Sequence, residues 1–360
     1  MTGWGLGAKD AVAAVSDLKM RLLEPKEAAR TRKLYEEAFP EDSREFVDYY
    51  YEEVAARNRI YAAEQDGEIR SMVHLNPYLV SIGGKEREID YLVAVATAEK
   101  FRHQGLMGSL LGKAMERMQT EGKAFTFLMP AKEEIYRPFG FHFISGQNRG
   151  ELIPGDYLGM EGMDCHPATM ADLPDLAWIA ERLLGKQGGT YTVHSEAYFE
   201  RLLKEQQCQE GDVAVFTKDG MIQGWCFTAW DGDVPEVREI VVEEAAKPYV
   251  LPTLAKAFRY DKKVRLYGCP DGVGKQEKRP LMMGRLLNLA AYVELVGDTM
   301  PENTAFTLTD HLLPENSGTY RKSEGRLVRI QEEANIPILS VEEFMDRYPL
   351  PAPVFFNEVV

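Results

Sequence analysis

The order of predicted helices and strands places this 360-residue chain in the α+β (mixed α/β) class. Two amphipathic helices come first, antiparallel hairpin signals follow, and a strand–helix–strand succession ends the first unit. The same order returns in fainter form after residue 165. The length agrees with two or three domains, and the repeated order predicts at least two related units.

Local patterns define the elements of the first unit, which is expected over residues 20–150. Apolar periodicity and turn residues predict, in chain order, helices over 27–39 and 45–56, strands over 59–65, 69–75, 78–82 and 87–96, a helix over 105–120 and a strand over 125–129. Asp66-Gly67 and Gly83-Gly84 are the hairpin turns between these strands. Pro40 ends the first helix.

Composition shifts divide the rest of the chain. The expected divisions are a mobile extension over 1–19, the first unit over 20–150, a linker over 151–164, a second unit over 165–276 and a third over 277–360. The third unit is expected to begin with a helix over 281–296. The extension lacks the basic start and unbroken apolar stretch of a secretory signal; an alternative is a start codon placed too early, with Met20 opening the fold.

The formal net charge of −15 argues against a nucleic-acid or anionic-membrane partner, because phosphate binding needs clustered Lys and Arg. It suits a cationic substrate, although solubility alone explains an acidic surface equally well. No apolar run is long enough to span a bilayer. The four cysteines have no CxxC spacing and the histidines no metal-ligand spacing, so we expect no metal and a cytoplasmic protein.

One segment has the pattern of an anion-binding site. A strand over 92–97 leads through a loop with Arg102 and Gly105 into a helix with one apolar face. The first N–H groups of a helix lack partners within it and attract a phosphate, and glycine lets the phosphate approach. Arg102 or His103 could add charge at the rim. The same arrangement is common without a ligand, and its glycine spacing fits neither a Walker loop nor a dinucleotide fingerprint.

The sequence Arg102-x-x-Gly105-x-Met107 resembles the R/Q-x-x-G-x-G/A motif of GNAT acetyltransferases. It departs from the motif at Met107, which is tolerable if that side chain points into the core and only its backbone N–H is used. The resemblance implies acetyl-CoA as cosubstrate. The binding residues that it implies are Val95, Ala96, Thr97, Arg102, His103, Gln104, Gly105, Leu106, Met107 and Gly108.

Longer segments resemble the enhanced intracellular survival (Eis) acetyltransferases. These segments are residues 127–131 (FLMPA), 135–141 (IYRPFGF), 282–285 (MMGR) and 310–318. The resemblance runs from Met20 to Val360. It implies two tandem GNAT folds, the second degenerate and without the cofactor motif, followed by a C-terminal sterol-carrier-protein-like α+β domain. It also implies a homo-oligomer, a hexamer in the resembling enzymes.

Acetyl transfer to an amine needs an acid for the departing thiolate and a base for the amine proton. The family places a tyrosine beside the sulfur, and Tyr136 matches that position; its reference pKa of about 10 keeps it protonated at neutral pH. Tyr136 also lies among phenylalanines, so a place in the core is the alternative. The family's base is the C-terminal carboxylate, which here belongs to Val360. An edge strand formed by the apolar end of the chain is the other interpretation of that segment.

Glu88 and Asp90 are the substitute bases, although a solvated strand face explains them more simply. The first functional hypothesis is an acetyl-CoA-dependent N-acetyltransferase acting on a primary amine of a small cationic acceptor, such as an aminoglycoside or a polyamine. The alternative is a non-catalytic protein that binds or senses a lipid or acyl-CoA through the sterol-carrier-like domain. The acceptor itself is not determined by the sequence.

Overall fold

A computed structural model describes residues 18–186, 188–257, 263–331 and 335–358. Within these ranges the chain forms a nine-stranded, a seven-stranded and a four-stranded sheet. The N-terminal extension expected over residues 1–19 lies outside the described residues up to residue 17, and Lys19 already belongs to the first strand. None of the described helices is long and apolar enough to cross a membrane.

The first unit contains six strands and four α-helices within the described residues. These elements are β1 (Lys19–Leu22), α1 (Arg32–Ala38), α2 (Arg44–Tyr49), β2 (Arg59–Gln65), β3 (Glu68–Ile82), β4 (Lys85–Thr97), α3 (Leu106–Thr120), β5 (Phe125–Leu128), α4 (Glu133–Tyr136) and β6 (His142–Phe143). Asp66 and Gly67 both have positive φ, at 55° and 76°, as a tight hairpin turn requires. The Ser43 hydroxyl caps α2 by accepting from the Phe46 N–H.

The strands expected over 69–75 and 78–82 are one continuous strand, β3, so their prediction as two strands was wrong. β3 pairs with β2 only as far as Leu75 and with another strand from Val80 onwards. On that edge Pro77 lies between two pairings, so its missing N–H breaks no ladder hydrogen bond there.

The second unit repeats the order of the first. Its elements are β7 (Gly146–Leu152), β8 (Asp164–Pro167), α5 (Leu173–Gly185), β9 (Thr190–Thr192), α6 (Glu196–Gln207), β10 (Val213–Lys218), β11 (Met221–Asp231), β12 (Val234–Val242), α7 (Lys247–Ala257), β13 (Val264–Tyr267) and β14 (Gln276–Pro280). In both units, three antiparallel strands lead through a helix to a strand parallel to the third.

The third unit contains a small sheet with two helices. Its elements are β15 (Met283–Leu286), α8 (Leu289–Val296), β16 (Ala305–Thr309), β17 (Gly318–Ser323), β18 (Arg326–Ile330), β19 (Ile338–Ser340), α9 (Val341–Arg347) and β20 (Val354–Phe355). The helix expected over 281–296 is shorter than predicted, because Met283–Leu286 is a strand. A Cβ at Gly284 would lie 2.6 Å from the Ile144 side chain, so this strand needs glycine to fit its place.

The three units are interlocked by strands that cross between them. β15 lies between β5 and β6 in the first sheet, and β9 and β20 extend the same sheet through β3. β7 and β14 belong to the second sheet, so the boundaries expected near residues 150 and 276 fall within paired strands. Exposed strand edges favour such pairing. The division into domains therefore stays a proposal, and the apolar core of the third unit is continuous with that around β5.

Candidate active site

The first structural feature of the site is a separation of β4 from β5. The two strands run parallel, and Tyr91 and Phe127 are their one registered pair within the described residues. Just beyond, Ala94 has a φ of +49° at a register shift against β3. A bulge of this kind bends the strand and ends its pairing, and we infer a cleft where the two strands separate.

The loop after β4 exposes unpaired backbone donors at the start of α3. His103 and Gly105 have φ values of +61° and +79°, which turn the chain into the helix. Within the described parts of the chain, the N–H groups of residues 103–108 make no backbone hydrogen bond. These N–H groups and the helix dipole suit a pyrophosphate. The residues present therefore fit the diphosphate of a coenzyme A molecule.

The other residues predicted for the cofactor lie on both sides of this turn. Thr97 bonds Ser71 side chain to side chain at 2.8 Å, and its carbonyl accepts from the Arg102 Nε at 3.1 Å. Val95 is partly buried, Ala96 and Leu106 are buried, and Gln104 donates to the Lys100 carbonyl. Met107 packs partly against the core, as its departure from the motif requires. Gly108 lies under the Phe139 ring, where a Cβ would be 3.0 Å from the ring.

Tyr136 is the last residue of α4 and is 7% exposed. It meets Phe141 edge to face at 6.0 Å and belongs to the core cluster that contains Leu92 and Leu106. Burial raises the pKa of Tyr136 to about 12, so its hydroxyl is protonated at neutral pH. The structure thus shows a core aromatic whose hydroxyl is protonated, and its role as an acid stays a proposal.

The C-terminal segment enters the cleft region from the opposite side. β20 pairs in parallel with β9, after which Phe356 stacks on Phe127 and the Tyr91 hydroxyl donates to the Glu358 carbonyl at 3.4 Å. The segment is therefore in contact with the one registered pair that joins β4 to β5. Val360, the predicted base, lies outside the described residues, two positions beyond Glu358.

The substitute bases are both engaged in ion pairs. Asp90 is buried and bonds the Arg59 guanidinium at 2.7 Å, and Glu88, which is exposed, bonds the Lys123 ammonium at 2.7 Å. Burial raises the pKa of Asp90, although Lys123 and Arg59 oppose the change. Both carboxylates are thus held in ion pairs with basic side chains, and neither forms a contact with the C-terminal segment among those described.

Arg285 is a buried residue to which sequence analysis gave no role, although its MMGR segment was noted. It forms a two-pronged ion pair with Asp310, at 2.6 and 3.0 Å, and its Nε donates to the Phe139 carbonyl at 3.1 Å. Phe139 is three residues after Tyr136, so Arg285 ties the Tyr136 turn to the third unit.

The second unit contains the counterpart of the Ala94 bulge. Glu239 has a φ of +50° in β12, where the register against β11 shifts. Its buried carboxylate accepts from the Trp225 indole at 3.2 Å and bonds the His194 Nε2 at 2.7 Å. The His194 Nδ1 faces the Thr192 carbonyl at 2.6 Å. No local sequence pattern indicated this cluster, because its members are distant along the chain.

The comparisons with known proteins agree with this geometry. Residues 19–144 match the acetyltransferase (GNAT) domain family. The fold is similar to that of a probable N-acyltransferase of unknown function from Enterococcus faecalis V583, with 14% identity, 91% of this chain and 88% of that chain covered, and a TM-score of 0.73. It is similar to Eis1 from Mycobacterium abscessus, with 14% identity, coverages of 92% and 89%, and a TM-score of 0.66. No curated protein matches the chain.

A tandem GNAT protein from the clavulanic acid biosynthesis pathway is also similar, with 11% identity and a TM-score of 0.50; the match covers 76% of this chain and 99% of that one. The predicted α+β fold with tandem GNAT units is therefore confirmed. The likeness to solved structures shows the fold, and the domain match adds the chemistry. The protein is an acyltransferase, and acetyl-CoA is its cosubstrate.

Proposed function

We propose that the protein transfers the acetyl group of acetyl-CoA to a primary amine of a small cationic acceptor, with Tyr136 as general acid and the Val360 carboxylate as general base. The observation that carries the proposal is the position of the C-terminal segment. Its last described residue, Glu358, accepts a hydrogen bond from Tyr91, at the point where β4 and β5 separate.

The cofactor residues of the proposal are those around the β4–α3 turn. The N–H groups of residues 103–108 would hold the diphosphate, with Arg102 at the rim and the main chain of residues 95–97 beside the extended arm. Acetyl-CoA supplies an acetyl group activated as a thioester. Gly108 and Met107 support this site through packing, since one lies under Phe139 and the other against the core.

The acid and the base act on opposite partners of the reaction. As the nitrogen–carbon bond forms and the carbon–sulfur bond breaks, Tyr136 donates its proton to the departing sulfur. The tail carboxylate accepts the proton that the attacking amine loses. Burial raises the pKa of Tyr136 to about 12, so its hydroxyl keeps its proton at neutral pH and can act as the acid.

The third unit has a structural part in this proposal. Phe306 of its sheet packs with Phe344 of α9 and with Tyr348 into one aromatic group, with ring centroids 4.9 Å apart for the first two. We propose that it is the sterol-carrier-like domain and that it delivers the tail. These packed rings do not favour the alternative of a lipid-binding protein. The same proposal includes aminoglycosides or polyamines as acceptors and a cytoplasmic location. It also includes assembly into a homo-oligomer, which is a hexamer in the resembling family.

The test measures acetyl-CoA turnover through the release of the coenzyme A thiol. A panel of polyamines, aminoglycosides and amino acids serves as acceptors. Tyr136→Phe and a variant lacking Val360 are each expected to lower kcat at least about tenfold. Acetyl-CoA binding, measured by calorimetric titration, should survive in both variants.

Two results would change the proposal. Activity that persists after removal of Val360 would exclude the tail carboxylate as base and redirect attention to Glu88 and Asp90. Absence of both turnover and acetyl-CoA binding would refute the enzymatic function as a whole.

A further inference from the structure

A cavity of about 300 Å³ lies between the first and second units, against the C-terminal tail. Tyr78 of β3, Arg201 and Glu205 of α6, and Glu358 of the tail are among its lining residues. Its volume is at the lower end of the range for small-molecule sites, about 300–1,000 Å³. Because it adjoins the described end of the tail, we take it as the place where an acceptor amine would bind.

The cavity lining contains both hydrogen-bond donors and acceptors that lack partners. Among the described residues, four such buried side-chain atoms are the Arg201 Nε, the Gln206 Oε1, the Asn357 Nδ2 and the Glu358 Oε2. A buried polar atom without a partner is energetically unfavourable. Glu358 is 5% exposed and Gln206 is 2% exposed, so bulk water does not satisfy them. The lining therefore suits an occupant that both donates and accepts.

The carboxylates of the lining are not all available to a cation. Glu236 bonds Arg238 at 2.6 Å, and Glu239 bonds His194 at 2.7 Å, so each already has a positive partner. Within the described residues Glu358 forms no ion pair, and its Oε2 has no hydrogen-bond partner. The tail thus places on the cavity wall a carboxyl group that forms no ion pair with a described residue, suited to an ammonium or amine group.

Two arginines of the same lining lie over aromatic rings. Arg149 lies over the Tyr267 ring at 5.3 Å and donates its Nε to the Gln147 amide, and it forms no ion pair with any described residue. Arg201 lies over the rings of Tyr78 and Tyr198 at 4.6 and 5.4 Å, and it too forms no ion pair within the described chain. Glu205 of the same lining interacts electrostatically with Arg201, so Arg149 is the guanidinium that is free to hold a carboxylate, its usual partner.

The anionic and cationic walls are close to each other. Gln147 accepts from Arg149 through its Oε1 and donates through its Nε2 to the Asn357 Oδ1 at 2.9 Å. Asn357 directly precedes Glu358. One amide side chain thus connects the arginine to the tail, a separation that an acceptor of amino-acid size can span.

We propose that the acceptor is an amine that also carries a carboxylate, an amino acid or a close derivative, with Arg149 holding the carboxylate and Glu358 facing the amine. This inference rests on the proposed acetyltransferase function and replaces its polyamine or aminoglycoside acceptor with one that carries a carboxylate. A polyamine offers no anion to Arg149, and a second positive charge beside that guanidinium would be unfavourable.

The test compares acceptors that differ in one group. Lysine, lysinamide and cadaverine share the terminal amine, and only lysine has a carboxylate. We expect kcat/KM for lysine to exceed that for each of the other two at least about tenfold. Arg149→Gln should lower kcat/KM for lysine about tenfold and leave kcat/KM for cadaverine unchanged. Arg149→Lys should keep part of the preference for lysine over cadaverine.

Arg182→Gln is the matched control, since Arg182 also lies over an aromatic ring, that of Trp178, but outside the cavity. It should behave as wild type. A calorimetric titration of lysine into the protein without acetyl-CoA provides a second readout, and Arg149→Gln should weaken that binding about tenfold.

The failures of the inference and of the proposed function are distinguishable. Cadaverine or an aminoglycoside used as well as lysine, or an Arg149→Gln effect equal for all acceptors, would overturn the carboxylate preference and leave the acetyltransferase intact. Turnover of no amine at all would refute the proposed function. The titration would still decide the inference, because lysine binding no tighter than cadaverine binding would overturn it.

Discussion

Phe356 of the C-terminal segment stacks on Phe127 of β5, with ring centroids 4.4 Å apart and an angle of 15° between the planes. Both side chains are buried. The contact joins the end of the chain to the strand that borders the β4–β5 cleft. In the proposed mechanism this contact would be the anchor of the tail.

Phe356→Ala should release the tail and lower kcat at least about tenfold, without loss of acetyl-CoA binding. Removing a buried phenylalanine costs about 3–5 kcal/mol, more than a short terminal segment is expected to retain. Phe356→Leu, which keeps most of the apolar area but not the stacked ring, should have a smaller effect. Equal activity of Phe356→Ala and wild type would show that the tail is not needed for catalysis.

Gly108 and Gly112 lie one turn apart on α3 and should respond oppositely to alanine. A Cβ at Gly108 would be 3.0 Å from the Phe139 ring, whereas at Gly112 nothing lies within 4 Å. Gly112→Ala should raise the free energy of unfolding by about 0.5–1 kcal/mol because alanine favours the helix. Gly108→Ala should show no such gain and should raise the KM for acetyl-CoA. Urea unfolding and initial-rate kinetics measure the two effects, and a stabilised Gly108→Ala with an unchanged KM would contradict this account.

The Arg285–Asp310 pair should dominate the response to acid. Both side chains are 1% exposed. Burial alone would raise the pKa of Asp310, but the hydrogen bonds and charge of Arg285 hold it below its ordinary value. The unfolded chain therefore binds the proton more readily, so this contribution is present above the ordinary pKa of about 4 and is lost as pH falls below it.

Asp310→Asn should accordingly lower the free energy of unfolding at pH 7 by about 3–5 kcal/mol, because it leaves Arg285 buried without an anion. The matched control is Asp231→Asn, which breaks an exposed pair with Arg265 and should cost less than about 1 kcal/mol. Urea denaturation at pH 7 and pH 4 measures both. Similar losses in the two variants would contradict the assigned importance of the buried pair.

Glu205 should make the protein less stable as pH rises. Burial raises its pKa from 4.5 to about 7. Between these values the folded state holds a proton that the unfolded chain has lost, so the free energy of unfolding falls as pH rises through that window. Glu205→Gln should flatten this dependence in thermal or urea unfolding between pH 5 and pH 8. Glu200→Gln, on the same helix with a side chain 47% exposed, should leave the wild-type dependence unchanged.

Local patterns were enough for most elements of the first unit. The Asp66-Gly67 turn, the helix beginning near Gly105 and the buried strand at Phe125 lie where their residues predict them. Each depends on neighbours within a few positions: backbone freedom at the turn, and an apolar face with a period near 3.6 on the helix. The break expected between residues 75 and 78 is absent, because the cost of Pro77 within β3 depends on which strand edge has a partner.

The candidate site was only partly visible in the same way. The Arg102–Gly108 turn was recognisable because its motif is contiguous, and the structure gives it the unpaired N–H groups that the motif implies. The roles of Tyr136 and Val360 depended on a family resemblance, and Val360 lies outside the described residues. Arg149, Arg201 and Glu358 had no local signal, since a charged residue has no assigned partner until the chain folds.

Short-range chemistry in the amino-acid order thus set the α+β class, the repeated unit and the anion-binding turn. The fold decided which distant segments meet: Met283–Leu286 between β5 and β6, the tail against Tyr91, and α6 over the cavity. Strand edges and apolar faces accept many partners of similar composition, so their choice is made by the packing of the whole molecule. Charge balance in the cavity follows from that packing, because pairing leaves Glu358 and Arg149 without ion-pair partners among the described residues.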